Sequence, residues 1–207
     1  MQNSIAVVFG GSRGIGSASV KALVRGGFDV ALTYVSNADT ARAVCTQAAA
    51  LRPGARVEAY EVEVRDAQRV DALYKRVAEA FRAPVQSVVA NAGINVPPGP
   101  VATFDGDTFR RLMDVNLIGA FNILSAAGRH VADGGSIIAL TTSLVRVAAP
   151  GLGPYSASKA AVEALVRAMS RELAPRQVRV NAVAQGRSIP TCFAKARPTR
   201  PRPARLR

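Results

Sequence analysis

The chain has 207 residues, of which 49% are hydrophobic, so it is long enough to fold around a substantial core. No stretch approaches the ~20 apolar residues of a membrane span, and no signal peptide precedes the first strand-like segment, which predicts a soluble cytoplasmic protein. Two scattered cysteines (Cys45 and Cys192) and one histidine (His130) argue against a disulfide framework, a metal site and a histidine-dependent hydrolase.

The net charge of +13 is unevenly distributed. Residues 185–207 contain seven basic residues and no acid, which leaves 20 basic and 14 acidic groups in residues 1–184. The body is therefore only moderately basic, and the tail is a separate compositional unit. We predict one domain over 1–184 and a disordered, Arg/Pro-rich tail over 185–207.

Apolar, β-branched runs alternate with segments of helical period along the body. The runs predict strands at 5–9, 30–34, 57–62, 85–90, 136–140 and 178–183. The longer segments predict helices at 16–25, 38–50, 67–81, 107–131 and 155–173. Near-continuously apolar strands separated by helices predict an α/β fold with a parallel sheet covered on both faces.

A glycine-rich turn lies between the first strand and the first helix. Its spacing is Gly10-x-x-x-Gly14-x-Gly16. Glycines let the backbone approach a pyrophosphate, and the helix N-terminus presents free N–H groups to it. The turn predicts a dinucleotide site, with a purely structural turn as the alternative; the residues concerned are Gly10, Ser12, Arg13, Gly14, Ile15 and Gly16.

Tyr155 and Lys159 lie four residues apart, so a helix places them on one face. A phenol ordinarily ionises near pH ~10. A neighbouring ammonium favours the phenolate, which suits proton transfer to or from a substrate oxygen near neutral pH. Taken alone, the pair is equally consistent with an ordinary surface tyrosine and lysine.

Five motifs in order make the chain similar to the classical short-chain dehydrogenase/reductase (SDR) family from about Ile5 to Ala184. They are the glycine loop, Asn91-Ala92-Gly93, Asn116, Ser143 and the Tyr155/Lys159 pair. Phe9 departs from the threonine usual in the family at the head of the loop. The resemblance implies a Rossmann-like, doubly wound parallel sheet.

The resemblance also implies catalytic roles. Tyr155 would be the general acid/base, and Lys159 would lower its pKa and hold the nicotinamide ribose. Ser143 would orient the substrate oxygen, with Thr142 as the rival hydroxyl, and Asn116 would position a water that links Lys159 to solvent.

The second strand ends without the acid that selects NAD in this fold. Tyr34 is followed by Ser36 and Asn37, which could donate hydrogen bonds to a 2′-phosphate, and Arg13 matches a basic position of NADP-preferring relatives. We therefore expect NADP(H), with NAD(H) as the alternative and with a solvated surface arginine as the other interpretation of Arg13. By resemblance Glu63 and Val64 would lie at the adenine, and Asn91, Ala92 and Gly93 at the nicotinamide.

The resemblance ends after Ala184, where Gln185 stands in place of the family's proline. The hypothesis is a truncation or a one-base deletion near codon 185, which would make 185–207 an out-of-frame product and remove the family's last strand. The nucleotide sequence of the gene tests this hypothesis directly.

The predicted function is NADP(H)-dependent hydride transfer between nicotinamide and a carbonyl or alcohol, with a 3-oxoacyl reductase as one candidate subtype. The alternatives are a truncated homologue that binds nucleotide without turnover and, remotely, nucleic-acid binding through the tail. The expected partners are a small-molecule substrate and further copies of the chain in a homodimer or homotetramer, without nucleic acid or membrane.

Overall fold

The computed structural model describes residues 4–186 as a parallel six-stranded sheet, which confirms the predicted α/β fold. The strands are β1 (Ile5–Phe9), β2 (Asp29–Tyr34), β3 (Val57–Glu61), β4 (Val85–Ala90), β5 (Ser136–Thr142) and β6 (Arg179–Gln185). Their order is β3-β2-β1-β4-β5-β6, and all neighbouring pairs are parallel.

Helices cover both faces of this sheet. They are α1 (Gly14–Arg25), α2 (Ala38–Ala49), α3 (Ala67–Phe81), α4 (Gly106–Met113), α5 (Gly119–His130) and α6 (Gly153–Glu172). Successive side chains of β1 point to opposite faces. Ala6 and Val8 therefore join the core under α1 and α2, whereas Val7 and Phe9 join the core under α3, α5 and α6. Within the described part of the chain, no helix has the length and apolarity that a membrane span requires.

The chain changes direction across the sheet between β1 and β4. β1 leads to β2 on one side, whereas β4 lies on its other side and leads to β5. In open parallel sheets, ligands bind at the carboxyl ends of the strands beside such a switch point. The loops that follow β1 and β4 begin at Gly10 and Asn91, so the predicted glycine loop and Asn91-Ala92-Gly93 emerge there.

The predicted helix at 107–131 is interrupted by a π-helical segment at Asp114–Ile118. This segment lies between α4 and α5 and contains Asn116, whose side chain is fully buried. A π turn widens the helix by one residue, and such turns are frequent at functional sites. The sequence pattern predicted the helical region but not the irregularity within it.

The other helix and strand boundaries differ from the predicted ones by small amounts. α6 begins two residues earlier than expected, at Gly153, because Pro154 is compatible with the first turn of a helix. β5 continues to Thr142, two residues past its predicted end.

β6 forms one edge of the sheet within residues 4–186. Of its seven residues only Val180 is buried. β6 extends one residue past the predicted domain boundary at 184. The predicted basic tail, the proposed frame change and the nucleic-acid alternative otherwise concern residues outside the described part of the chain.

Candidate active site

The glycine loop is held by β2 and by the loop after β4. Gly10 has φ +72°, and its N–H donates to Thr33 Oγ1 at 3.1 Å, while Gly11 N–H donates to the Thr33 carbonyl at 3.0 Å. From the other side, Asn91 Nδ2 donates to the Gly10 carbonyl at 2.9 Å. The loop is therefore held by β2 on one side of β1 and by the residue that follows β4 on the other.

The loop also brings the start of α1 close to the sheet. A Cβ at Gly16 would lie 2.1 Å from the Gly10 oxygen, so no side chain fits at this position. Arg13 occupies the N-cap in an extended conformation without a side-chain capping bond, and Gly14 (φ +53°) faces open space. The first N–H groups of α1 are thus not capped by a side chain, and this close glycine cradle fits the phosphates of a dinucleotide.

The predicted nucleotide-binding residues at and after the end of β2 and in the glycine loop differ in exposure. Tyr34 is partly exposed, and Ser12 and Ile15 of the glycine loop are partly buried, whereas Ser36 is exposed. Asn37 has a structural task, because its Oδ1 caps α2 by accepting from Thr40 N–H at 2.8 Å. Its amide nitrogen makes no hydrogen bond to another described residue.

The segment after β3 is anchored to α5. Glu63 pairs with Arg65 at 2.8 Å, and that hydrogen bond is the main reason why the pKa of the Glu63 carboxyl lies below its ordinary value. Val64 is buried against Gly119, and its carbonyl accepts from Asn122 Nδ2 at 2.9 Å. The adenine-side candidates thus have a fixed backbone.

Asn116 connects the loop after β4 to α6. Its Oδ1 accepts from Ile94 N–H at 2.8 Å, and its Nδ2 donates to the Ile94 carbonyl at 2.9 Å. The same Nδ2 lies 3.4 Å from Ser158 Oγ, which in turn donates to the Tyr155 carbonyl at 2.7 Å. The side chain of Asn116 therefore fixes Ile94, next to the predicted nicotinamide residues Ala92 and Gly93.

Lys159 is buried, and its Nζ donates to the Leu140 carbonyl at 3.0 Å. Burial lowers its pKa to about 8. A Cβ at Gly93 would lie 3.1 Å from Asn116 Oδ1 and 3.5 Å from Lys159 Nζ, so these three residues meet at one point. Tyr155 lies one turn before Lys159 on α6 and is partly buried.

Two hydroxyl residues follow one another at the end of β5. Thr142 is buried, and its Oγ1 accepts from Leu144 N–H at 3.3 Å, which caps a short 3₁₀ turn at Ser143–Val145. The Ser143 side chain is partly exposed and makes no hydrogen bond to another described residue. The choice of Ser143 over Thr142 stays a prediction.

Three residues with clear supporting contacts were not predicted. Thr33 holds the glycine loop, Asn122 holds the segment after β3, and Ser158 links Asn116 to the Tyr155 backbone. Ser158 lies among other polar residues, whereas Thr33 and Asn122 are each a polar residue in an otherwise apolar run. That pattern is a usable signal, because buried polar groups need hydrogen-bond partners.

The sheet order and the glycine loop define a doubly wound, nucleotide-binding class of α/β fold. The model of the family described as short chain dehydrogenase matches residues 4–200, and the chain belongs to this family of oxidoreductases. It is 35% identical over 188 residues to the 3alpha-hydroxysteroid dehydrogenase of Mediterraneibacter gnavus, covering 90% of this chain and 74% of that protein.

Two further similarities agree with this assignment. The chain is 34% identical over 192 residues to an Arabidopsis thaliana protein named as a chloroplastic NADPH-dependent aldehyde reductase-like protein, covering 88% of this chain and 71% of that one. A Burkholderia cenocepacia short chain dehydrogenase crystallised in complex with NADP has a TM-score of 0.85 and 36% identity, covering 92% of this chain and 77% of the other.

Proposed function

We propose that the protein transfers a hydride between NADP(H) and a carbonyl or alcohol substrate. The observation that carries this proposal is the meeting of Gly93, Asn116 and Lys159 at the carboxyl ends of the strands. They lie beside the glycine loop and the N-terminus of α1, which has no side-chain cap. We include a cytoplasmic location in the proposal, which cell fractionation would test.

In the proposed reaction, negative charge builds on the substrate oxygen during reduction and requires a proton donor at that moment. Tyr155 supplies that proton, and Ser143 donates a hydrogen bond to the same oxygen. Lys159, with a pKa of about 8, is mostly protonated at pH 7. Its positive charge favours the phenolate form of Tyr155 after the proton has been transferred. When bound, the nicotinamide supplies or accepts the hydride.

Three observations support NADP(H) as the preferred nucleotide. No acid follows β2 at Val35, Ser36 or Asn37, and Arg13 is exposed at the start of α1, close in sequence to the uncapped N–H groups. The relatives named above include a NADPH-dependent protein and a complex with NADP. Replacing Arg13 by glutamate is expected to weaken NADPH binding at least tenfold and NADH binding much less.

The test is NADPH binding by fluorescence titration, followed by turnover of a panel of ketones, aldehydes, hydroxysteroids and a 3-oxoacyl thioester. Tyr155→Phe is expected to bind NADPH normally and to lose turnover by about 10²-fold or more. Unchanged turnover in this variant would refute the proposed role of the phenol. Binding without turnover of any substrate in the wild type would favour the nucleotide-binding homologue.

A matched pair of variants separates the two hydroxyls at the end of β5. Ser143→Ala is expected to lower kcat strongly at constant NADPH affinity, whereas Thr142→Val is expected mainly to loosen the 3₁₀ turn and lower stability. The reverse result would assign the substrate hydrogen bond to Thr142.

We also propose a homodimer or homotetramer that forms through the helices holding Asn116 and Tyr155. Phe109, Ile118 and Phe121 expose 38%, 47% and 49% of their surface along α4, the π segment and α5. Large exposed apolar side chains on neighbouring turns are typical of an interface. Light scattering of the wild type and Phe121→Glu tests this, and a monomeric wild type would contradict it.

A further inference from the structure

Glu163 is a buried carboxylate on the helix that also carries Tyr155 and Lys159. Its side chain is 9% exposed, and its Oε2 lies 3.8 Å from Arg146 Nη2 and 3.8 Å from Arg167 Nη1. A buried charge is costly unless it is paired. Arg167 belongs to α6 itself and lies one turn further on, whereas Arg146 belongs to a different part of the chain.

Arg146 follows the 3₁₀ turn that begins at Ser143. Its N–H donates to the Ser143 carbonyl at 2.9 Å, and the N–H of Val147 donates to the same carbonyl at 3.0 Å. The backbone of Arg146 is thus tied directly to Ser143. Its side chain, 78% exposed, reaches across to Glu163 on α6.

We propose that the Arg146–Glu163 ion pair is a positioning contact, which fixes the turn bearing Ser143 against the helix bearing Tyr155 and Lys159. β5 determines where the turn begins, but beyond Thr142 the chain leaves the sheet and loses its ladder hydrogen bonds. The ion pair supplies a lateral connection to α6 at this point. Neither residue touches the reacting atoms in this proposal.

This inference rests on the proposed function, because it concerns the alignment of the proposed proton donor and the proposed substrate hydrogen bond. Catalytic groups must be held within about 0.5 Å of their productive positions. A partly exposed ion pair contributes modestly to such alignment, so its loss is expected to lower kcat by about three- to tenfold.

The kinetic test compares Arg146→Gln with Arg167→Gln as a matched control. Both variants remove one cation from Glu163, but only the first cuts the connection to the Ser143 turn. Arg146→Gln is expected to lower kcat with the KM for NADPH unchanged, Arg146→Lys to recover most of the loss, and Arg167→Gln to behave like the wild type. Equal effects of the two glutamine variants, or none from Arg146→Gln, would overturn the proposal.

A double-mutant cycle and hydrogen exchange complete the test. The Arg146→Gln/Glu163→Gln double variant is expected to lose no more kcat than Arg146→Gln alone. The backbone N–H groups at positions 146 and 147 are expected to exchange several-fold faster in Arg146→Gln and Glu163→Gln, but not in Arg167→Gln. Unchanged hydrogen exchange would overturn the inference, whether or not the wild type turns over a substrate. A wild type without turnover would count only against the proposed function.

Discussion

Replacing Lys159 by methionine is expected to make the protein more stable and less active at the same time. Burial lowers the pKa of Lys159 from about 10.5 to about 8, a difference that corresponds to about 3 kcal/mol. The folded protein incurs this cost at neutral pH, where the ammonium is charged in both the folded and the unfolded state. Loss of the hydrogen bond to Leu140 offsets about 1 kcal/mol, so Lys159→Met gains about 2 kcal/mol at pH 7.

The same pKa gives the sign of the pH dependence. Because the folded state binds this proton more weakly, the unfolded chain carries more protons between pH ~8 and ~10.5, and the free energy of unfolding rises across that interval. Lys159→Met lacks this rise, so its advantage disappears near pH 10.5. Turnover by the variant is expected to fall by about 10²-fold or more.

Urea denaturation at several pH values measures both effects. Lys75→Met, at an exposed lysine of α3, is the matched control and should follow the wild-type pH curve. Parallel curves for Lys159→Met and the wild type would refute the assignment of a buried, destabilising ammonium. Lower stability of Lys159→Met than of the wild type at pH 7 would refute the expectation that the desolvation cost of Lys159 exceeds the contribution of its hydrogen bond to Leu140.

Four other substitutions test further parts of the molecule. Gly16→Ala places a methyl group against a backbone oxygen and is expected to weaken NADPH binding more than tenfold. Gly14→Ala meets open space, so it is expected to add only the ~1 kcal/mol conformational cost of its positive φ. Isothermal titration with NADPH compares the affinities of the two variants. Tyr74→Phe removes a buried hydroxyl that lacks a hydrogen-bond partner among the described residues. We therefore expect the free energy of unfolding, measured by thermal denaturation, to rise by about 1 kcal/mol. A lower free energy of unfolding would indicate that the hydroxyl has a hydrogen-bond partner. Asn122→Ala leaves the Val64 carbonyl without its side-chain donor and is expected to cost about 1–2 kcal/mol and to raise the KM for NADPH, whereas an unchanged KM would separate this segment from the nucleotide site.

Local patterns in the sequence were sufficient to predict the strands in their order along the chain and the glycine turn after the first of them. The apolar runs predicted all six strands, and the spacing of Gly10, Gly14 and Gly16 predicted the turn that joins β1 to α1. The approach of this turn to a pyrophosphate stays a prediction. Such features depend on residues that are close together in the chain, so periodicity and turn chemistry are enough to find them.

Features that depend on distant contacts were not accessible in the same way. Thr33 and Gly10 are 23 residues apart, and Asn122 and Val64 are 58 residues apart, so no local pattern links them. Similarly, Thr142 and Ser143 are adjacent hydroxyls at a strand end, where the direction of each side chain depends on the turn that follows. Sequence spacing alone leaves that direction open.

The π-helical segment at Asp114–Ile118 has a consequence for how this region tolerates insertions and deletions. One residue turns an α-helix by ~100°, so the extra residue in the π turn sets the rotational phase of α5 relative to α4. Deleting one residue from this segment would leave an unbroken α-helix. However, either Asn116 or the apolar face of α5 would then turn away from its partners. The length of this segment, more than its composition, therefore keeps the site and the core in register with each other.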